Sequence, residues 1–355
     1  MINKTRKAAF TGLALIGSVA LLAGCASAPS TSSTQGKSNF LPCVVSDGGG
    51  FNDKSFNQLA LQGVTEAASS IGSKYVKVES KSDSDYAPNL ESLVSQNCNA
   101  IVAVGFNLAD ATVASAQANT NINYLLIDDQ PSTTLPNLQP ILFNTAEAAF
   151  LAGYTAAATS QSHIVGTFGG MQIPTVTIFM DGFLQGVNYY NTQNNATTKV
   201  LGWDGQTGSF TGGFQANDTA RQIAQGFIDQ GADEILPVGG PIYQSAAAAI
   251  TSSGKTIALF GVDADLTKTD PTVASLVLTS IMKEISVATQ TSVEAAANGK
   301  FSNSPYIGNL SNKGVGLAPL TNFSSWIPSD LQSKLDDLSQ QIISGKVKVT
   351  SYLNK

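Results

Sequence analysis

The sequence is poor in the residues that most catalytic and metal sites require. Its 355 residues include one histidine, three cysteines, two tryptophans and four methionines. A Ser–His–Asp set needs a histidine paired with a nucleophile and a carboxylate, and no such pattern surrounds His163. One histidine and at most two free thiols cannot supply an ordinary zinc site. We therefore expect a protein that is not an enzyme, with no metal and no cofactor.

Charge is also scarce, and one sign dominates it. Charged residues make up 12% of the chain and the formal net charge is -6. A net acidic domain without a basic cluster repels phosphate backbones, so no nucleic-acid partner is predicted. The dinucleotide and P-loop glycine signatures are missing as well. Hydrophobic residues reach 43%, which is typical of a folded chain and not of a disordered one.

The N-terminus has the pattern of a secretory signal peptide, which we place at residues 1–24. It starts with three basic residues and continues as an uncharged, mostly apolar run at 8–23. Glycines interrupt this run, and it is shorter than the helix of about 20 apolar residues that crosses a bilayer. The pattern predicts export of the chain rather than a membrane-spanning helix.

The end of this segment, Leu22–Cys25, resembles a bacterial lipobox. That resemblance implies that Cys25 receives a diacylglyceryl group and becomes the mature N-terminus; the alternative is an ordinary signal peptide with a chance thiol. Two acyl chains are enough for stable anchoring. Residues 25–39 are mostly small and polar, which is typical of a flexible linker. Together these features predict a domain tethered to the extracytoplasmic face of the cell membrane.

The remaining chain, from residue 40 onward, alternates strand-like and helical patterns. Its roughly 315 residues exceed what one core usually serves, so two lobes are expected. The strand-like runs are continuously apolar, which favours parallel strands covered by helices on both faces. Two such series predict an α/β protein of two doubly wound lobes. Ligands bind beyond the carboxyl ends of such strands, so a cleft between the lobes is the predicted site.

The two cysteines of the folded part stand beside predicted strands. Cys43 opens the run at 43–45, and Cys98 stands two residues before the run at 100–104. In a parallel sheet both would lie at the same edge, and an exported protein meets oxidising conditions. We predict a disulfide between Cys43 and Cys98, with two separate buried thiols as the alternative.

A glycine-rich turn, Ser46–Gln58, joins the first strand to the first helix. Its glycines allow the backbone to approach a ligand closely. Asn52 or Asp53 can cap the helix that follows, and a turn with a cap is the alternative to a binding role.

Within this turn, Gly50–Gln58 resembles the signature of the basic membrane protein lipoproteins, a family that includes the purine nucleoside receptor of ABC transport systems. Further matches occur in order along the chain, at 104–106, 127–129, 179–186, 231–233, 261–265 and 278–283. The resemblance implies a type I periplasmic-binding-protein fold whose lobes are joined by several hinge strands. It implies a first lobe of residues 40–145 plus 265–310, and a second of 146–264 plus 311–355.

The resemblance also implies a function. The chain would be a lipid-anchored binding protein, monomeric, that captures nucleosides, purine nucleosides above all, for an ABC permease in the membrane. Three alternatives stay open: a binding protein for another flat heterocycle such as riboflavin, a surface interaction protein that keeps the fold, and a nucleoside hydrolase built on paired carboxylates.

A nucleoside site requires aromatic rings for the base and polar groups for its edge. We predict Phe56 and Phe179 as the stacking pair, since each base–ring contact stabilises binding by about 1–3 kcal/mol. The family pattern implies that Phe179 faces the cleft; core packing is the alternative for both rings. Asn52 and Asp53 are the candidates for the base edge.

A ribose requires carboxylates that accept its hydroxyl groups. Asp263 follows a strand of the second series and is the predicted ribose carboxylate. Either Asp128 or Asp129, which end another strand, is expected to reach the ligand. Lys283 is the predicted donor or charge partner, with a solvated lysine as the alternative, and Gly240 can offer a backbone N–H to the sugar.

Overall fold

The computed structural model describes residues 38–354. The predicted signal peptide, Cys25 and nearly all of the linker lie outside the described residues. Within 38–354, no helix combines the length and the apolar character that crossing a bilayer would need.

Twelve strands and ten α-helices form between residues 38 and 354. The strands are β1 (Pro42–Val45), β2 (Val76–Val78), β3 (Ala100–Val104), β4 (Asn123–Ile127), β5 (Leu138–Phe143), β6 (Ile164–Gly169), β7 (Lys199–Leu201), β8 (Glu234–Val238), β9 (Ala258–Asp263), β10 (Val277–Lys283), β11 (Tyr306–Gly308) and β12 (Val315–Leu317). The helices are α1 (Phe56–Ser70), α2 (Tyr86–Ser95), α3 (Ala109–Ala118), α4 (Thr145–Thr159), α5 (Pro174–Asn194), α6 (Asp218–Asp229), α7 (Tyr243–Ser253), α8 (Leu266–Thr269), α9 (Ile285–Ala297) and α10 (Leu331–Ile343).

The strands form two six-stranded sheets, one in each lobe. The first sheet has the order β11-β5-β4-β3-β1-β2 and is parallel throughout. The second has the order β12-β10-β9-β8-β6-β7 and is parallel except at its β12 edge. The central strands β1, β3 and β8 are buried along their whole length, as continuous apolar runs predict. The prediction of two doubly wound α/β lobes is confirmed.

The chain returns to the first lobe later than the sequence indicates. Strand β10 pairs in parallel with β9, with Ser280 opposite Gly261 and Ile281 opposite Val262. Residues 265–283 therefore lie with the second sheet and not with the first lobe, where the sequence analysis places them. The physical reason is burial: β10 is apolar enough to be covered on both faces beside β9. The chain re-enters the first lobe with helix α9, which follows β10 and packs on α1.

Three chain crossings connect the lobes, and hydrogen bonds tie them together. The first passes through Asn144, whose backbone N–H donates to the Gly308 carbonyl oxygen (2.7 Å). The second passes through Glu284, whose N–H donates to the Gly314 carbonyl oxygen (2.9 Å), and the third runs from β11 to β12. The Glu147 carboxylate accepts from the Asn144 side chain and from the Leu310 N–H, both at 2.8 Å. The crossings thus form one bonded hinge.

The C-terminal tail lies against this hinge. Ser351 Oγ donates to Asn144 Oδ1 (2.8 Å), and the Thr350 N–H donates to Gln185 Oε1 on α5 (2.9 Å). Burial raises the pKa of Tyr352 above its usual range, and the nearby charges of Asp128 and Asp129 add to the effect. The tail therefore connects α5 of the second lobe to Asn144 in the first crossing of the hinge.

Cys43 and Cys98 form a disulfide with Cα atoms 6.0 Å apart. Parallel pairing of β1 with β3 sets Pro42 opposite Ala100, which brings the two cysteines to the same end of the sheet. Both residues are buried.

Helices α4 and α5 pack closely because glycine lies at their contact. A Cβ atom at Gly153 would collide with the backbone of Phe183, and one at Gly186 would collide with the backbone of Phe150. The backbones of the two helices therefore touch at these positions, in the layer next to the hinge.

Gly186→Ala is expected to destabilise the protein by about 1–3 kcal/mol, because the added methyl group has no space between α4 and α5. The matched control is Gly226→Ala on α6, where an added Cβ meets nothing within 4 Å. That change should raise the free energy of unfolding by up to about 1 kcal/mol through helix propensity. Urea unfolding measures both variants; equal effects would contradict the assigned helix contact.

Candidate functional site

The carboxyl ends of the two sheets face one cleft between the lobes. From the first lobe, Asp47, Gly105 and Asp128 line it; Gly105 and Asp128 directly follow their strands, and Asp47 is the second residue after β1. From the second lobe, Gly239 follows β8 and Asp263 ends β9. The space between the lining residues, counted together with the open solvent at its mouth, is about 570 Å³.

The glycine-rich turn places Asp53 at the start of α1, on the floor of the cleft. Its carboxylate accepts from the backbone N–H groups of Ser55 (3.0 Å), Asn57 (2.7 Å) and Gln58 (3.1 Å). These are free donors at a helix N-terminus, so Asp53 caps the helix and lines the cleft at once. Backbone bonding holds its carboxylate in one orientation.

Asp47 and Asn57 form a second polar group on the same floor, and sequence reasoning did not select either. Asn57 Nδ2 donates to Asp47 Oδ1 (2.8 Å) and to Asp53 Oδ2 (3.0 Å). Burial raises the pKa of Asp47 to about 6, although hydrogen bonds from Gly49 and Asn57 oppose the shift. One signal could have found Asp47: it lies two residues after β1, near a strand end as Asp128 and Asp263 are.

Lys283 lies between two buried carboxylates at the end of β10. Its Nζ is 2.5 Å from Asp128 Oδ2 and 3.6 Å from Asp263 Oδ1. Burial alone would lower the pKa of Lys283, but the two carboxylates outweigh it and raise that pKa. Asp128 belongs to the first lobe and Asp263 to the second, so this ammonium group joins charges from both.

One carboxylate oxygen of Asp263 faces the Lys283 ammonium without accepting a hydrogen bond from residues 38–354. Its Oδ2 accepts from Ser55 Oγ (3.2 Å), whereas its buried Oδ1 accepts no hydrogen bond from the described chain. Burial raises the pKa of Asp263 to about 6, Lys283 opposes the shift, and the charges of Asp128 and Asp53 add to it. A buried acceptor of this kind is suited to a hydroxyl group of a ligand.

The backbone is strained at both carboxylates beside Lys283. Asp128 and Asp263 each have φ of 66°, in the left-handed region that aspartate adopts more readily than most residues. Such conformations cost of order 1–3 kcal/mol and cluster at functional sites. Here they turn the side chains at the strand ends into the cleft.

Three phenyl rings, those of Phe56, Phe143 and Phe179, lie within cation–π distance of the lysine, and the first and last of them line the cleft. The ring centroids of Phe56 and Phe179 lie 5.2 Å and 5.1 Å from Lys283 Nζ, within cation–π distance. Phe56 starts α1 of the first lobe and Phe179 lies in α5 of the second, and both line the cleft. Phe179 is 2% exposed, so its ring also completes the core beneath the site.

Two of the nine residues proposed from the sequence as ligand-binding residues lie outside the lining. Asn52 is exposed, and its Oδ1 accepts from Lys54 Nζ (2.7 Å) instead. Asp129 is half-buried beside the cleft, and burial raises its pKa to about 6. Of the aspartate pair, the structure brings Asp128 to the site. Gly240 lines the cleft with φ of 54°, close to Asp53.

The second lobe also contributes an apolar wall that the sequence did not indicate. It consists of Ile173, Val176, Phe214 and Val238. Phe214 comes from a loop rich in glycine and threonine between β7 and α6, where no periodic pattern marks it as buried. Polar groups and this wall together give the cleft a polar floor and an apolar opposite side.

Comparison with known proteins agrees with this architecture. Residues 40–352 match a family model described as Bmp, ABC transporter substrate-binding protein PnrA-like. The ABC transporter nucleoside-binding protein BmpA of Lactococcus lactis is 30% identical, over 98% of this chain and 99% of its own. Basic membrane protein A of Borreliella afzelii is 28% identical, over 85% of this chain and 89% of its own.

A solved structure confirms the fold class. An ABC transporter solute-binding protein from Aeropyrum pernix superposes with a TM-score of 0.79 at 24% identity, covering 88% of this chain and 93% of that one. The predicted type I periplasmic-binding-protein fold is therefore confirmed, as is the resemblance noted in the sequence. The chain belongs to the Bmp family of PnrA-like substrate-binding proteins of ABC transporters.

Proposed function

We propose that this substrate-binding protein captures nucleosides, with purine nucleosides preferred, in the cleft between its lobes. The observation that carries the proposal is the group around Lys283: a buried ammonium between two phenyl rings, beside an Asp263 oxygen that accepts no hydrogen bond from the described chain. Rings suit a planar base, and carboxylates suit a sugar diol. The name of the Lactococcus relative, a nucleoside-binding protein, supports the same ligand class.

The base lies between Phe56 and Phe179 in this proposal. Stacking on aromatic rings is worth about 1–3 kcal/mol per base and accepts any flat heterocycle. Discrimination between one base and another then depends on hydrogen bonds at the edge of the base. There, Asp47 and Asp53 offer carboxylate oxygens and Asn57 offers an amide. Their mutual hydrogen bonds hold them in place before the ligand arrives, which reduces the ordering entropy that binding loses.

The ribose lies at the Lys283 end. Its hydroxyl groups donate to Asp263 Oδ1 and to the Asp128 carboxylate, and Lys283 donates to a ribose oxygen. Hydrogen bonds to ionised groups are about twice as strong as neutral ones. A deoxy analogue would leave a buried carboxylate without its hydrogen-bond donor, so the site would strongly prefer a ribose over a deoxyribose.

Ligand contacts from both lobes drive closure. A ligand shifts a conformational equilibrium only by its differential affinity for the two states, and here each lobe supplies one ring and at least one carboxylate. Protein contacts assist: Ser55 Oγ of the first lobe donates to the Val262 carbonyl oxygen of the second (2.9 Å). The three crossings serve as the hinge.

The closed protein then delivers its ligand to an ABC permease. We propose that the mature chain begins at Cys25, is anchored by its lipid to the extracytoplasmic face of the membrane, and acts as a monomer. The polar segment up to residue 39 would give the domain reach from the bilayer to the permease.

Phe179→Leu should weaken adenosine binding by about 5- to 150-fold, because it removes one stacking ring and keeps apolar bulk. Asp263→Asn should weaken it by about tenfold or more, because a charged acceptor is lost. Asp229→Asn on exposed α6 is the matched control and should bind like the wild type. Calorimetric titration measures all four proteins; unchanged affinity in the first two variants would reject this site.

Adenosine should bind at least about 100-fold more tightly than AMP. Within residues 38–354, the cleft lining contains four carboxylates, Asp47, Asp53, Asp128 and Asp263, against the single cation Lys283. A phosphate would therefore enter a field of like charge. Competition of AMP against bound adenosine measures the ratio, and equal affinities would contradict the proposed charge balance.

Nucleoside affinity should fall as the pH falls from 7 to 5, by about tenfold for each carboxylate that must stay ionised. Asp47 and Asp263 have pKa values of about 6, so both become protonated over this range. Calorimetry at each pH measures the effect. A flat profile would show that neither carboxylate accepts from the ligand in its ionised form.

The free energy of unfolding of the ligand-free protein should respond to pH in the opposite direction from nucleoside affinity: the contribution of these carboxylates rises as the pH falls. The native pKa values of Asp47 and Asp263 lie above the ordinary value of 3.8, so the native state holds more protons than the unfolded state between pH 6 and pH 4. The contribution of these groups to the free energy of unfolding therefore rises as the pH falls. Asp263→Asn should remove its share of that pH dependence in urea unfolding.

A further inference from the structure

Phe214 occupies a defined position at the edge of the second sheet. The backbone of its loop is bonded along the end of β6: the Gly169 N–H donates to the Ser209 carbonyl oxygen (3.0 Å), and the Thr211 N–H donates back to the Gly169 carbonyl oxygen (3.0 Å). The Gly212 N–H donates to the Gly170 carbonyl oxygen (2.8 Å). These bonds hold the loop as an added extended segment, so the ring that it carries is positioned before any ligand binds.

Glycines at the strand ends make room for this ring. A Cβ at Gly170 would collide with the Phe214 ring, and one at Gly239 would lie 3.1 Å from it. The ring therefore packs on bare backbone at the ends of β6 and β8 while still lining the cleft. A larger residue at Gly170 would leave no space for the ring where it now stands.

The loop meets the first lobe beside the proposed base edge. Gln215 Nε2, next to Phe214, donates to the Gly48 carbonyl oxygen across the cleft (3.2 Å). The neighbouring Gly49 is packed against Asp47 and Asn57. The loop that carries Phe214 therefore meets the first lobe next to the polar floor formed by Asp47 and Asn57.

We infer that Phe214 is a specificity-determining residue that limits the size of the flat ligand. This inference rests on the proposed function, since it assumes the base lies toward Asp47 and Asn57 and the sugar toward Lys283. A two-ring purine ends before the Phe214 ring. A three-ring heterocycle with a polyol chain, such as riboflavin, shares the stacking and hydroxyl chemistry, but its third ring would enter the space that Phe214 fills.

The test compares adenosine with riboflavin on the wild type and on Phe214→Ala. The wild type should bind adenosine and exclude riboflavin. The variant should gain riboflavin affinity by about tenfold or more and change its adenosine affinity much less, because apolar size discrimination is typically 10- to 200-fold. Phe210→Ala is the matched control: its ring lies four residues earlier on the same loop, packs on Trp203 with centroids 6.0 Å apart, and does not line the cleft.

Phe214→Leu provides a second variant that keeps the loop packed, and it should show a smaller gain in the same direction. Melting temperatures of both variants identify any loss of folding. Riboflavin binding to the wild type as tight as adenosine binding would overturn the inference, as would no gain in either folded variant or an equal gain in the Phe210→Ala control. Failure of the proposed function has a different signature, because the wild type itself would then bind no purine nucleoside.

Discussion

The interaction on which the site depends is the buried ion group of Lys283 with Asp128 and Asp263. An ammonium group taken out of water is stable only when close carboxylates compensate its desolvation, and here they come from different lobes. Lys283 is the last residue of β10 and directly precedes the crossing at Glu284. The charge group therefore sits where the two lobes join, and its geometry changes if the lobes move apart. The proposed ligand contacts and the position of the hinge therefore depend on the same charged groups.

The rest of the cleft follows from the parallel sheets. Every strand except β12 in the two sheets runs in parallel with its neighbours. The polar residues at the carboxyl ends of β1, β4 and β9 therefore lie at the same cleft. Positive φ values at Asp128 and Asp263 then turn two of these side chains inward. Close helix contacts at Gly153 and Gly186 keep α4 and α5 rigid beside the hinge, so Phe179 on α5 keeps its position. Dense packing around the strand ends thus holds the backbone of Asp128 and Asp263 in its strained conformation.

Residue types and order along the chain were sufficient to predict two lobes, the cleft, and seven of the nine ligand-binding candidates that line it. Asp263 and Lys283 lie at the cleft as expected, because both stand at the ends of buried strands, and their contact with a ligand stays a prediction. The sequence pattern predicts Asn52 at the site, but the structure leaves Asn52 exposed outside the cleft lining. The same local sequence allows a turn residue to point either to solvent or to the site. The sequence could not choose between Asp128 and Asp129, since successive side chains point to opposite faces and the backbone twist decides which one enters the cleft.

What the sequence by itself determined is the architecture: continuous apolar strands require cover on both faces, and alternating helices supply it, so two parallel lobes follow from local patterns. Only the tertiary structure decided which side chains meet across the cleft. The ion pair of Lys283 with Asp128, the hydrogen bond from Ser55 to Val262 and the hydrogen bond from Gln215 to Gly48 all join residues that are distant in the chain and belong to different lobes. Such contacts depend on how two separately formed lobes are brought together at the hinge, and that information resides in packing rather than in any local run of residues.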